Sequence, residues 1–89
     1  MPVKRSRLSI LVDIMKALEN GGKPASRICE HANLPYDRLA PVLKSLEKAG
    51  LVYSEKRGRA RIYKLTEKGF RELHKLEEPL KILQKLGLE

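Results

Sequence analysis

Apolar residues recur three and four apart at Leu8, Leu11, Ile14, Met15 and Leu18, which is the stripe of a helix buried along one face. Ser6 supplies a hydroxyl for the first free amides of that helix, and Gly21-Gly22 stops it, so the pattern predicts a first helix over 6–20. A second, shorter helix is predicted over 25–32, opened by Pro24 and turning Ile28, Cys29 and Ala32 inward, with Asn33-Leu34-Pro35 breaking the chain after it. The third runs to about Ala49 with Leu39, Val42, Leu43 and Leu46 on its apolar stripe and Gly50 as its stop. Pro41 lies inside it, and the missing N–H and ring clash predict an irregular start. Two β-rich runs follow, 51–56 and 60–65, around Arg57-Gly58-Arg59, where Gly58 suits the positive φ of a tight turn: a hairpin with a basic tip. Thr66, with Glu67 behind it, caps a last helix that carries Phe70, Leu73, Leu76, Leu80, Leu83 and Leu86, and Pro79 is expected to bend or restart it.

Two helices joined by a short turn, the second leading directly into a hairpin, is the layout of a winged helix-turn-helix domain, a mostly helical α+β fold of three helices and a β-hairpin wing followed here by a C-terminal helix. The expected organisation is a DNA-binding domain over 1–66 and a C-terminal helix over 67–89 that serves dimerisation. In this architecture the second helix of the pair enters the DNA major groove and the first crosses the backbone. Burying Leu39, Val42, Leu43 and Leu46 turns Tyr36, Arg38, Lys44 and Lys48 outward. Tyr36 and Arg38 sit near the end that meets base edges; Lys44 and Lys48 lie further along and suit phosphates. Ser26 and Arg27 open the preceding helix, where free amides favour a phosphate.

Charge sharpens that picture. The net +8 divides into +3 over residues 1–7, +1 over 8–52, +4 over 53–66 and zero over 67–89. Basic charge confined to an N-terminal arm (Lys4, Arg5, Arg7) and a wing (Lys56, Arg57, Arg59, Arg61, with Lys64 beside them) is the footprint of a polyanion-binding surface. Wing arginines can enter a minor groove or grip its flanking phosphates. The plainer alternatives are solvated charge runs, an Arg61 stem lying along its strand, and arm residues that are only the first turn of the first helix.

At 89 residues and 10.2 kDa the chain forms one domain with little room for an enclosed active site. His31 and His74 are the only histidines, and no phosphate loop or nucleophile motif is present, so an enzyme is not expected. Cys29 and His31 make at most half a metal site, and neither metal nor cofactor is expected; a single cysteine also excludes an internal disulfide. No apolar run approaches the roughly 20 residues of a membrane span, and the N-terminus lacks a signal-peptide core, which points to a soluble, cytoplasmic protein with no membrane partner. RNA has thin support in Tyr36 and Tyr53 as stacking surfaces. A winged helix that binds protein instead of nucleic acid is the alternative, against which the basic wing argues.

The last helix has two readings. Phe70 and Leu73 are close enough to join the domain's own core, whereas Leu76, Leu80, Leu83 and Leu86 extend beyond what so small a body covers and suit a seam with a second copy. The zero net charge of this segment removes repulsion between copies.

Several stretches together carry a family resemblance: Arg5-Ser-Arg-Leu-Ser-Ile-Leu-Val-Asp-Ile, Ser26-Arg-Ile, Ala32-Asn-Leu-Pro-Tyr36, Leu46-Glu-Lys-Ala-Gly-Leu51 and Tyr63-Lys-Leu-Thr-Glu-Lys-Gly69. From residue 5 to about 73 the chain resembles the archaeal winged-helix DNA-binding proteins that dimerise through a C-terminal helix. The resemblance implies double-stranded DNA binding by a homodimer in a transcription-regulating or chromatin-associated role. The chain departs from that family at Pro35, where Ser or Asn often caps the helix, and at Pro79, midway along a helix that is commonly uninterrupted.

Overall fold

The computed structural model describes residues 6–87. Their order is α1 (Arg7–Ala17), β1 (Lys23–Pro24), α2 (Ala25–Ala32), α3 (Tyr36–Lys48), β2 (Val52–Arg57), β3 (Ala60–Leu65) and α4 (Glu67–Lys85). The Ser6 hydroxyl caps α1 by accepting from the Ser9 amide at 3.0 Å. After α2 the chain reverses on Asn33, which takes the left-handed conformation (φ 54°), while the Leu34 amide donates back to the Cys29 carbonyl at 3.0 Å. That single residue sets the turn between the two helices.

Pro35 lacks a capping side chain as expected, whereas Pro41 and Pro79 behave differently from expectation. Pro35 caps α3 without a side-chain bond, and the Arg38 and Leu39 amides both reach its carbonyl at 3.1 Å. Pro41 gives no irregular start, because α3 is one helix from Tyr36 to Lys48. Pro79 likewise neither breaks nor restarts α4, which is continuous over 19 residues. Both rings are exposed, so the carbonyls they leave without a helical donor, at Asp37 and Lys75, belong to exposed residues and can be met by water.

The sheet has one strand more than expected. β1, only two residues long, pairs antiparallel with β3, placing Lys23 opposite Tyr63 and Pro24 opposite Ile62, and the strand order is β1-β3-β2. Proline is tolerated there because β1 is an edge. β2 and β3 pair from Val52 opposite Leu65 out to Arg57 opposite Ala60, so the wing closes on two residues. Gly58 takes φ +58° at the first of them, where a type II′ hairpin turn requires it.

One core joins every helix to the root of the wing: Val12, Ile14, Met15 and Leu18 of α1 and its exit, Ile28, Leu39, Leu43, Leu46, Val52, Leu65 and Leu73. Each fully buried aliphatic side chain contributes about 1.5–3 kcal/mol, and no charged or polar residue is buried among the described ones. Three expectations for α4 need correction. Phe70, expected in the core, is 38% exposed, whereas Leu80, expected at a seam, is 8% exposed, and Leu76 is half-buried against the same core. The reason is that α4 lies alongside α1: Leu80 and Val12 floor a hollow of about 140 Å³ between the two helices. Beyond it Leu83 is half-buried, and Ile82 (52%) and Leu86 (66%) are exposed. Among the described residues, no helix is long and apolar enough to cross a membrane.

Candidate nucleic-acid interface

Exposure of α3 follows from its period. With Leu39, Leu43 and Leu46 buried, Tyr36 (61% exposed), Arg38, Lys44 and Lys48 stand in solvent together with Asp37, Pro41 and Glu47. Asp37 in the first turn complements the helix dipole, and the outward face is mixed in sign rather than uniformly basic. Ser26 and Arg27 are exposed in the first turn of α2, and the Arg27 guanidinium lies 3.9 Å from Glu30. Arg7 is exposed at the first position of α1; Lys4 and Arg5 lie outside the described residues.

The register divides the wing into two faces of different charge. Directly opposed residues share a face, so Val52, Leu65, Ser54, Tyr63, Lys56 and Arg61 stand on one side, and Tyr53, Lys64, Glu55, Ile62 and Arg57 on the other. The first side is the inner one, since Val52 and Leu65 are buried in the core with Leu43 and Leu46 of α3. On the outer side Glu55 offsets one of two neighbouring positive charges: Arg57 lies 3.8 Å and Lys64 3.4 Å from the same carboxylate. On the inner side Lys56 has no ion pair among the described residues. Arg61 likewise has no ion pair there but donates to the Ser54 hydroxyl at 3.0 Å, which holds its guanidinium across the strands. Arg59 is exposed at the tip.

Tyr63 connects this inner face to α3. Partial burial raises its phenol above the ordinary value of 10.0, the negative charge of Glu47 and the nearby Tyr36 add to the rise, and Arg61 opposes it. One phenol therefore feels α3 at Tyr36 and Glu47 and the wing at Arg61. Sequence reasoning passed over Ser54, Tyr63 and the half-buried Lys23 opposite it. Ser54 and Tyr63 follow from the hairpin register once the turn is known to contain two residues, while Lys23 needed β1. Among the described residues no group of three or more His, Cys, Asp and Glu side chains is placed to hold a metal ion.

A helix pair turning on Asn33, followed by a hairpin whose inner face adjoins the second helix, defines a winged helix. A family model for winged helix-turn-helix proteins matches residues 4–84, and the chain belongs to that family. Among solved structures it is similar to Sso10a-2, a DNA-binding protein from Sulfolobus solfataricus, at 27% identity and TM-score 0.84 over 92% of this chain and 85% of that one. It is also similar to AF1382 from Archaeoglobus fulgidus, at 27% identity and TM-score 0.70 over 85% of each chain. The transcriptional regulator BldR from Sulfolobus solfataricus shares the fold, at 22% identity and TM-score 0.81 over 89% of this chain and 59% of that one. No curated protein sequence matches the chain significantly.

Proposed function

We propose that this protein binds double-stranded DNA as a homodimer in the cytoplasm, as a transcriptional regulator or a chromatin-associated protein. α3 enters the major groove with Tyr36 and Arg38 at base edges and Lys44 and Lys48 on phosphates; Ser26 and Arg27 meet the backbone beside it. Lys56, Arg59 and Arg61 on the inner face and tip of the wing grip the flanking minor groove or its phosphates. The observation that carries the reading is the division of charge on the hairpin: the face adjoining α3 keeps its cations free of carboxylates among the described residues, while on the opposite face Arg57 and Lys64 share the single Glu55 carboxylate. The DNA-binding character of the similar Sulfolobus protein, and its archaeal source, support the same reading.

For pairing, Ile82, Leu83 and Leu86 replace the longer seam, because Leu76 and Leu80 are used within the chain. The interface extends over the neighbouring hollow, whose rim carries Asp13 and Glu77 against Lys16 and Lys81, a set balanced in sign. The experiment is selection of preferred duplexes from a random pool at physiological salt. A palindrome with two half-sites about one helical turn apart is the expected product. A pool that shows no enrichment, with no salt-dependent duplex binding at all, refutes the DNA reading.

A further inference from the structure

α3 ends in a Schellman motif: Gly50, at φ +75°, donates to the Glu47 carbonyl at 3.0 Å, and the Leu51 amide donates to Leu46 at 2.9 Å. That is enough to stop a helix. Yet the next three carbonyls all receive donors from the first turn of α4 and its cap. Ala49 accepts from the Lys68 ammonium at 3.0 Å, Gly50 from the Thr66 hydroxyl at 2.6 Å, and Leu51 from the Thr66 amide at 3.0 Å. The Thr66 oxygen also accepts from the Gly69 amide at 3.0 Å, so one side chain caps the start of α4 and ties down the end of α3. Gly69 closes the joint. It is buried, and a Cβ there would run into the Leu51 carbonyl oxygen.

Apolar packing of Leu73 beneath the joint is non-directional and tolerates small rotations, whereas hydrogen bonds to three successive carbonyls restrict the angle between the two helices. That angle has a long lever. α3 has 13 residues, about 20 Å at 1.5 Å per residue, and its outer end carries Tyr36 and Arg38. A swing of about 10° at the joint moves that end by about 3.4 Å, one base-pair step of B-DNA.

We propose that Thr66, Lys68 and Gly69 form a joint that sets the angle between the groove-entering helix and the pairing helix, and thereby determines which half-site spacing the paired protein accepts. The inference rests on the homodimer reading above. Thr66 and Lys68 are positioning residues: they touch neither DNA nor the second copy, and act through the placement of α3.

The test measures affinity for a set of duplexes with two half-sites whose spacer changes one base pair at a time, together with sedimentation of each protein. The intact protein prefers one spacer. Thr66→Val should reduce the preference over the neighbouring spacers roughly three- to tenfold, the worth of a hydrogen bond or so, with half-site sequence preference retained. Thr66→Ser should restore it. Lys68→Met leaves the cap of α4 intact and should loosen spacing by roughly two- to threefold, as suits an exposed charged contact. It carries the test if the valine variant fails to fold. A folded, dimeric Lys68→Met or Thr66→Val protein with the unaltered spacing profile overturns the joint and leaves the dimer standing. An intact protein that sediments as a monomer on DNA and in its absence overturns the dimer reading and the joint with it.

Discussion

Lys56→Ala and Arg57→Ala remove the same formal charge from neighbouring positions on one hairpin, and the division of the wing into two faces makes their consequences differ. Arg57 points to the outer side, away from α3, and lies 3.8 Å from a Glu55 carboxylate it shares with Lys64, whereas Lys56 stands opposite Arg61 on the side adjoining α3 with no carboxylate partner among the described residues. Each phosphate neutralised contributes about −0.9 to the slope of log affinity against log salt. If Arg27, Lys44, Lys48, Lys56, Arg59 and Arg61 all meet phosphates, the slope is about −5.4 per protomer, and losing Lys56 brings it to about −4.5. Between roughly 50 and 200 mM salt one lost contact changes the affinity ratio by about 3.5-fold, well within the reach of a fluorescence anisotropy titration on a short duplex. Lys56→Ala and Arg61→Ala should each flatten the slope by about 0.9, and Arg57→Ala should leave it within about 0.3 of the original. Equal flattening by Arg57→Ala and Lys56→Ala would refute the assignment of the faces, and with it the argument that places the wing on DNA.

Two further outcomes follow from the packing. Ile82→Glu and Leu86→Glu should each give a monomer by sedimentation that loses only what dimerisation contributes and whose urea midpoint no longer changes with protein concentration, whereas Leu80→Glu should cost about 2–5 kcal/mol more, because Leu80 is 8% exposed within its own chain; a Leu80→Glu monomer as stable as the Ile82→Glu monomer would return that residue to the seam. Tyr63 gives a pH dependence. Its phenol titrates above 10.0 because burial, then Glu47 and Tyr36, disfavour the phenolate, so the stability it contributes is complete below the unfolded value and declines as pH rises through the raised one. Between about pH 9 and 11 the urea midpoint should therefore fall more steeply for the intact protein than for Tyr63→Phe, and parallel profiles would contradict the electrostatic link between the wing and α3.

Where local chemistry decides the outcome, the fold was legible in the sequence. Ser6 and Thr66 cap the helices they were expected to cap, Gly58 sits at the turn of the hairpin, and the stripe of α3 buries Leu39, Leu43 and Leu46. The failures share a cause, which is that they depend on neighbours distant in the chain. β1 is too short to have a periodicity and exists only because β3 is beside it. The cost of Pro41 and Pro79 depends on whether the carbonyl each frees meets solvent, and the exposed faces on which both lie are set by tertiary packing. Leu80 looked remote from the domain because distance along the sequence hides the fact that α4 runs back along α1. For the candidate site, residue types and outward positions on α3 were readable, but the division between Lys56 and Arg57 required the register, and the bond from Arg61 to Ser54 required the strand faces.

The short strand at the edge of the sheet has a mechanical consequence. β1 grips β3 only at Ile62 and Tyr63, so the hairpin is three strands wide midway along its length while everything from Lys56 round to Arg61 is a two-stranded ribbon. A ribbon of that width is marginally rigid by itself. On the DNA-binding reading proposed above, the two-stranded tip with its exposed Arg59 is the part that adjusts to groove width, and the buried Val52 and Leu65 stay outside that adjustment.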